Sequence, residues 1–447
     1  MQSEASNLLS KATALGLQDL RVAAMELLMN VSNANKSKLL QNALKDNNAV
    51  FLTNTLNFYP GVDKKSIGTV LNKLKSKNTS PEVKTSLVYW LAKNQVTASV
   101  LQISQQLQSP NEMLQTAAIK SLSQLGTDAA IQALVSRLST GSPDIVKKIS
   151  NELLTVDNKN LPGYLATAYP LSTSEGKTAI LSILSSRQMT GQSSLVYSQF
   201  ASTDKNIKSQ AAKSLAAVST QENLPALFNL LETSEPEYIP ALQNAVNSAL
   251  SYLTPEEQSK MITEKMNSST KKYLYYNALA NIGTPAELNK ITDDYKNLSG
   301  SNKSAAFEAL TKWKTFDAVY SLLDILRSGT DKSEMNKAVE TLLPLIAQSD
   351  KNDEVKALYL RELMPFAQNN SQKNTILRNL GNTRSYKALL FVAPFMDNAA
   401  LKEAAAQAAM NLALSNTSFL DEGTAKILEK VNKTLSTPDA GYHREAV

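Results

Sequence analysis

Ser109-Pro110-Asn111-Glu112-Met113-Leu114-Gln115-Thr116-Ala117-Ala118-Ile119-Lys120-Ser121-Leu122-Ser123-Gln124-Leu125-Gly126-Thr127 is the stretch on which the reading of the fold turns. It opens as a helix start, with Ser109 as capping hydroxyl, Pro110 in the first turn and Glu112 three residues after the serine. Gly126 stands where such a helix ends in the left-handed conformation. A second amphipathic stretch, Ile131 to Leu138, follows at once, so the unit reads as a helical hairpin.

With Leu122 as anchor, comparable helices place leucines at Leu28, Leu56, Leu91, Leu153, Leu184, Leu215, Leu250, Leu279, Leu310, Leu342, Leu377 and Leu412. The intervals run from 28 to 35 residues, room for two helices of about 12 residues with short turns. Four positions before the anchor stand Leu87, Ala118, Ile149, Ile180, Ala211, Val246, Tyr275, Ala306, Ala338 and Ala408, with Lys373 the exception. Three positions after it stand Leu125, Val156, Val218, Leu253, Ile282, Trp313, Leu345 and Leu380, against Asn94, Arg187 and Ser415. Positions −4, 0 and +3 share one face of a helix, so the columns describe a repeated buried stripe. A hairpin cannot bury its stripe alone and must stack on its neighbours.

Other units open as Ser80-Pro81-Glu82-Val83-Lys84, Ser142-Pro143-Asp144-Ile145-Val146-Lys147 and Thr203-Asp204-Lys205-Asn206-Ile207-Lys208. Ile207-Lys208-Ser209-Gln210-Ala211-Ala212-Lys213-Ser214-Leu215, with junctions Leu125-Gly126, Ile282-Gly283 and Leu380-Gly381, resembles the HEAT-like repeat. The resemblance implies an all-α, right-handed α-solenoid of about 12 or 13 HEAT-like hairpins. Lys stands where the family usually has Arg after Val, and the family's Asp is often absent. One array is expected over residues 1–435, with a bend near 157–174, where Pro162, Gly163 and Pro170 weaken the repeat. Pro344 should kink or split its helix. Residues 436–447 read as a polar tail, possible linker to a further domain.

Composition narrows the function. The 447 residues carry 46 basic and 40 acidic side chains, and 38 of the basic ones are Lys. A balance this weak, made of Lys rather than the bidentate Arg, argues against a dedicated nucleic-acid groove. Cysteine is absent, which removes disulfides, thiolate metal sites and Cys nucleophiles. A cysteine-free chain fits an exported bacterial protein, periplasmic or at the cell surface, in preference to a cytoplasmic one. Met1-Gln2-Ser3-Glu4 has neither the basic start nor the apolar core of a signal peptide, so export implies a leader already removed. No apolar run approaches a membrane span.

Catalytic constellations are missing as well. His443, in the tail, is the one histidine, so no Ser–His pair or two-His metal site can form in the repeat body. No phosphate loop, dinucleotide fingerprint or acidic calcium loop occurs. Glu256-Glu257 and Asp293-Asp294 read as capping or surface acids. The expectation is therefore no enzyme activity, no cofactor and no metal.

In a HEAT-like array the second helix lines the concave face, and positions −2 and +2 should point there. Those columns are polar and mixed in sign, with no continuous basic stripe, although Lys64-Lys65, Lys73-Lys75-Lys77, Lys147-Lys148 and Lys271-Lys272 cluster locally. Tyr89, Lys93, Lys120, Gln124, Lys213, Tyr252, Tyr273 and Asn277 are the candidate partner-binding residues, whereas Tyr275, Tyr276 and Trp313 read as core. The reading is a non-enzymatic protein- or peptide-binding scaffold of unstated oligomeric state. Its rivals are a helical accessory region of a larger exported carbohydrate-active protein and a HEAT-like nucleic-acid-binding protein.

Overall fold

The computed structural model describes residues 2–435 except 32, 33, 60, 417 and 420. The proposed tail 436–447, with His443, lies outside the described residues. Among those described there are 27 α-helices, joined by turns and short 3-10 segments, and no strand. Contacts cluster into two compact units, residues 1–225 with 236–249, and residues 226–235 with 250–447.

The first unit opens with α1 (Gln2–Ala14), α2 (Gln18–Asn30), α3 (Lys36–Ala43), α4 (Ala49–Phe58), α5 (Lys64–Lys75), α6 (Pro81–Lys93) and α7 (Val100–Gln105). It continues with α8 (Glu112–Leu125), α9 (Asp128–Thr140), α10 (Pro143–Leu153), α11 (Leu161–Ala168), α12 (Ser174–Ser186), α13 (Ser193–Ser198) and α14 (Lys205–Val218). The boundary falls within α15 (Leu224–Thr233) and α16 (Ile239–Leu250). The second unit holds α17 (Pro255–Ser268), α18 (Tyr276–Ile282), α19 (Pro285–Asn297), α20 (Gly300–Thr311), α21 (Ala318–Ser328) and α22 (Lys332–Ala347). It ends with α23 (Asp353–Leu363), α24 (Asn370–Gly381), α25 (Tyr386–Val392), α26 (Lys402–Leu414) and α27 (Glu422–Thr434).

All thirteen anchor leucines fall on even-numbered helices, one each from α2 to α26, and none is more than 3% exposed. The −4 column is buried at every apolar position. In the +3 column Leu125, Val156, Val218, Trp313 and Leu380 are buried, while Leu253, Ile282 and Leu345 are half-buried. Burying one leucine contributes about 1.5–3 kcal/mol before entropy, so these columns supply much of the core. Even helices pack on even helices in each unit, α2 to α14 in the first and α18 to α26 in the second. Odd helices form a second layer, through α3, α5, α7, α9 and α11 in the first unit and α23 and α25 in the second.

Small polar residues set how closely the even helices approach. Ser121 Oγ donates to the Val88 carbonyl at 3.4 Å, and Ser214, at the same repeat position, donates to Leu181 at 3.1 Å. Gly126 and Gly283 take positive φ, 61° and 76°, at position +4 from their anchors. Gln95 and Gln188 hold that position in their own units with φ 52°, so the left-handed cap persists without glycine.

Three local expectations need correcting. The cap of α8 is Asn111, which accepts from the Leu114 N–H, while Ser109 accepts from Asn111 N–H one turn earlier. Of the two outcomes expected at Pro344, the split does not occur: α22 runs on through it to Ala347. Gly381 is not a left-handed junction but the last residue of α24, and a Cβ there would lie 2.8 Å from Ala408 Cα. Its missing side chain allows α24 to pack against α26.

Candidate functional site

The hairpin packing leaves most of the −2 and +2 positions exposed or half-buried, with Met410 the buried exception. Tyr89 and Lys93 on α6, Lys120 and Gln124 on α8 and Lys213 on α14 are exposed, and Tyr252, just after α16, is 58% exposed. Tyr273 and Asn277, in and after the 3-10 segment before α18, are half-buried.

Tyr89, Lys93, Lys120 and Gln124 come together because α6 packs directly on α8. Their C-terminal ends are tied by Gln95 Nε2, which donates to the Gln124 carbonyl at 3.3 Å. Lys213 lies three even helices further along, separated by α10 and α12. Tyr273 and Asn277 neighbour each other in sequence but belong to the second unit.

Helix geometry lengthens the α6–α8 patch beyond the candidates. On α8, Met113 (48% exposed) and half-buried Thr116 continue the line of Lys120 and Gln124 at spacings of three and four. Glu82 and Ser86 extend Tyr89 and Lys93 in the same way on α6. The spacing that exposed the buried columns held this signal too. Extending only two outward columns left it unread.

Electrostatics show which charges are free for a partner. Lys148 Nζ sits 2.6 Å from Glu112 and 3.3 Å from Thr116 Oγ1, joining α10 to α8. Lys73 donates to the Asp46 carbonyl at 3.2 Å and to Asn47 at 2.9 Å, and Lys271 donates to the Glu232 carbonyl at 2.5 Å. Three of the four local lysine clusters thus hold a residue committed to a neighbouring repeat. Arg187, an exception in the +3 column, donates through Nη1 to the carbonyls of Leu153 (2.9 Å) and Val156 (2.8 Å), capping the end of α10.

The acid pairs and the tyrosine group have structural duties. Glu257 forms a capping box with Thr254, which favours its carboxylate at the start of α17. Asp294 accepts from the buried Tyr276 hydroxyl at 2.8 Å. Tyr275 is fully buried and donates to Glu232 at 2.6 Å. Burial, then the adjacent carboxylate, holds both phenols far above the ordinary tyrosine range, so they stay protonated donors. Among the described residues no helix is long and apolar enough to cross a membrane.

Two layers of helices, paired by a recurring leucine and bearing an outward polar stripe, define a helical-repeat protein. Residues 69–155 match HEAT repeats. The crystal structure of Kap121p bound to Ste12p aligns at TM-score 0.54 and 13% identity, over 94% of this chain and 52% of that one. Kap121p bound to the extreme C-terminus of the protein phosphatase Cdc14p aligns at 0.53 and 12%, over 100% and 56%. Kap121p alone gives 0.50 and 12%, again over 100% and 56%. This chain therefore spans about half the length of those structures. No curated protein matches the sequence. The chain has the α-solenoid fold, with HEAT repeats matched over residues 69–155.

Proposed function

We propose that this protein is a non-enzymatic scaffold that binds a protein or peptide along the even-helix layer, with the α6–α8 patch as the first contact. The observation that carries the reading is the division of one helix face from the other. Buried columns repeat at −4 and 0, while Tyr89, Lys93, Lys120 and Gln124 stand exposed on adjacent helices. Tyr offers a large, rigid, amphipathic contact, and the mixed Lys and Gln around it suit a polypeptide with both charged and amide groups. Lys73, Lys148 and Lys271 bind neighbouring repeats, which supports a polypeptide over a phosphate backbone. The Kap121p structures carry bound polypeptides, Ste12p and the Cdc14p C-terminus, on a fold of this kind.

A photo-crosslinking amino acid placed at Tyr89 or Lys120 should trap a partner that one placed at Lys77, in the turn after α5, does not. Combined Tyr89→Ser, Lys93→Ser and Lys120→Ser substitutions should abolish trapping with an unchanged melting curve. Equal trapping from both positions would remove the even-helix layer as the docking face.

A further inference from the structure

The odd-helix layer of the second unit carries a groove that the repeat columns leave unexplained. Arg361 of α23 faces Lys387, Leu390 and Phe391 of α25, with Pro394 and Phe395 from the following 3-10 turn, around about 630 Å³. Ala388, Leu389 and Val392 already supply the buried stripe of α25. Leu390, 48% exposed, and the Phe391–Phe395 pair, centroids 5.4 Å apart, are therefore apolar surface beyond what the core needs.

The cations of this groove are poorly matched. The Arg361 guanidinium lies 5.2 Å from the Phe391 ring centre, and its Nε is shut off from solvent without a hydrogen-bond partner. Glu362, beside it in sequence, accepts instead from Arg327. Lys387 reaches Glu354 only at 3.8 Å and is largely exposed. A partly desolvated guanidinium without an anion is unfavourable, and its planar fork suits a carboxylate.

We propose that this groove binds an acidic peptide segment in which a Phe or Leu neighbours an Asp or Glu. The carboxylate meets Arg361, the apolar side chain lies against Leu390 and Phe391, and a second acid reaches Lys387. Charge and apolar surface occur together here, and a peptide of that composition satisfies both. The site is built on α23 and α25 of the odd-helix layer and uses none of the −2 and +2 residues.

The test is fluorescence anisotropy of the full chain against fluorescein-labelled peptides that permute two Glu residues around one Phe or Leu. Each is paired with a Gln-for-Glu counterpart. The acidic peptides should bind better, and added salt should weaken them. Arg361→Gln should weaken binding about tenfold or more, as expected for losing a partly desolvated charge pair. Arg361→Lys, which keeps charge without the fork, should be intermediate. Lys387→Gln, on an exposed side chain, should give a smaller loss without disturbing folding. The proposal fails if no peptide outbinds its Gln counterpart, or if Arg361→Gln binds like the parent. It also fails if phosphatidylserine–phosphatidylcholine vesicles, and not peptides, bind in an Arg361-dependent way.

Discussion

Replacing Gly381 by Ala should destabilise the end of the second unit, although alanine is the better helix former. A Cβ built there meets Ala408 Cα at 2.8 Å, its Cβ at 3.0 Å and its carbonyl oxygen at 3.3 Å. Comfortable carbon–carbon contact is about 3.5–4.0 Å, so the methyl intrudes by about 0.7 Å or more on the backbone of α26. Backbone cannot rotate away as a flexible side chain would, and the two helices must separate. Overpacking of this kind costs about 1–3 kcal/mol. The helix-propensity gain is at most about 1 kcal/mol, and less at a terminal position. A net loss of about 1–2 kcal/mol follows. Gly68 supplies the control: it lies inside α5 with nothing within 4 Å of its missing Cβ, so Gly68→Ala should stabilise by up to about 1 kcal/mol. Because a repeat array need not unfold in one step, amide hydrogen exchange across α24 and α26 is the decisive assay, with urea melts alongside. Protection in both helices should fall in Gly381→Ala and remain unchanged in Gly68→Ala. Unchanged or increased protection in Gly381→Ala would refute the close approach of these helices.

Gln188→Gly should raise stability by about 0.5–1 kcal/mol, because its φ of 52° suits glycine; a lowered denaturation midpoint would contradict the left-handed cap. Arg187→Met should cost about 1–2 kcal/mol by leaving the Leu153 and Val156 carbonyls without their cationic donor, with exchange loosening at the end of α10. For Glu232, burial raises the pKa, but the Tyr275 and Ser269 hydroxyls with the Lys265 ammonium outweigh it and leave it below the ordinary value. A depressed carboxylate stabilises at neutral pH and loses that contribution as pH falls through its folded pKa. Glu232→Gln should therefore show a shallower loss of stability between about pH 5 and 2, read by circular dichroism.

The spacing of Leu122 and its twelve counterparts already contained the helical hairpin and its buried face. Helix periodicity is local: once −4, 0 and +3 are apolar, one side of each helix must turn from water. Exposure of Tyr89, Lys93, Lys120 and Gln124 follows from the same arithmetic. Only the tertiary structure decided which polar side chains are committed to the array. Lys73, Lys148, Arg187 and Lys271 find partners 26 to 39 positions away, on a neighbouring repeat. No window along one helix reveals such a pairing. The close approach at Gly381, the division of contacts into two units and the Arg361 groove are likewise products of stacking. They depend on how one hairpin's surface meets the next, a distance in space that the period along the chain does not specify.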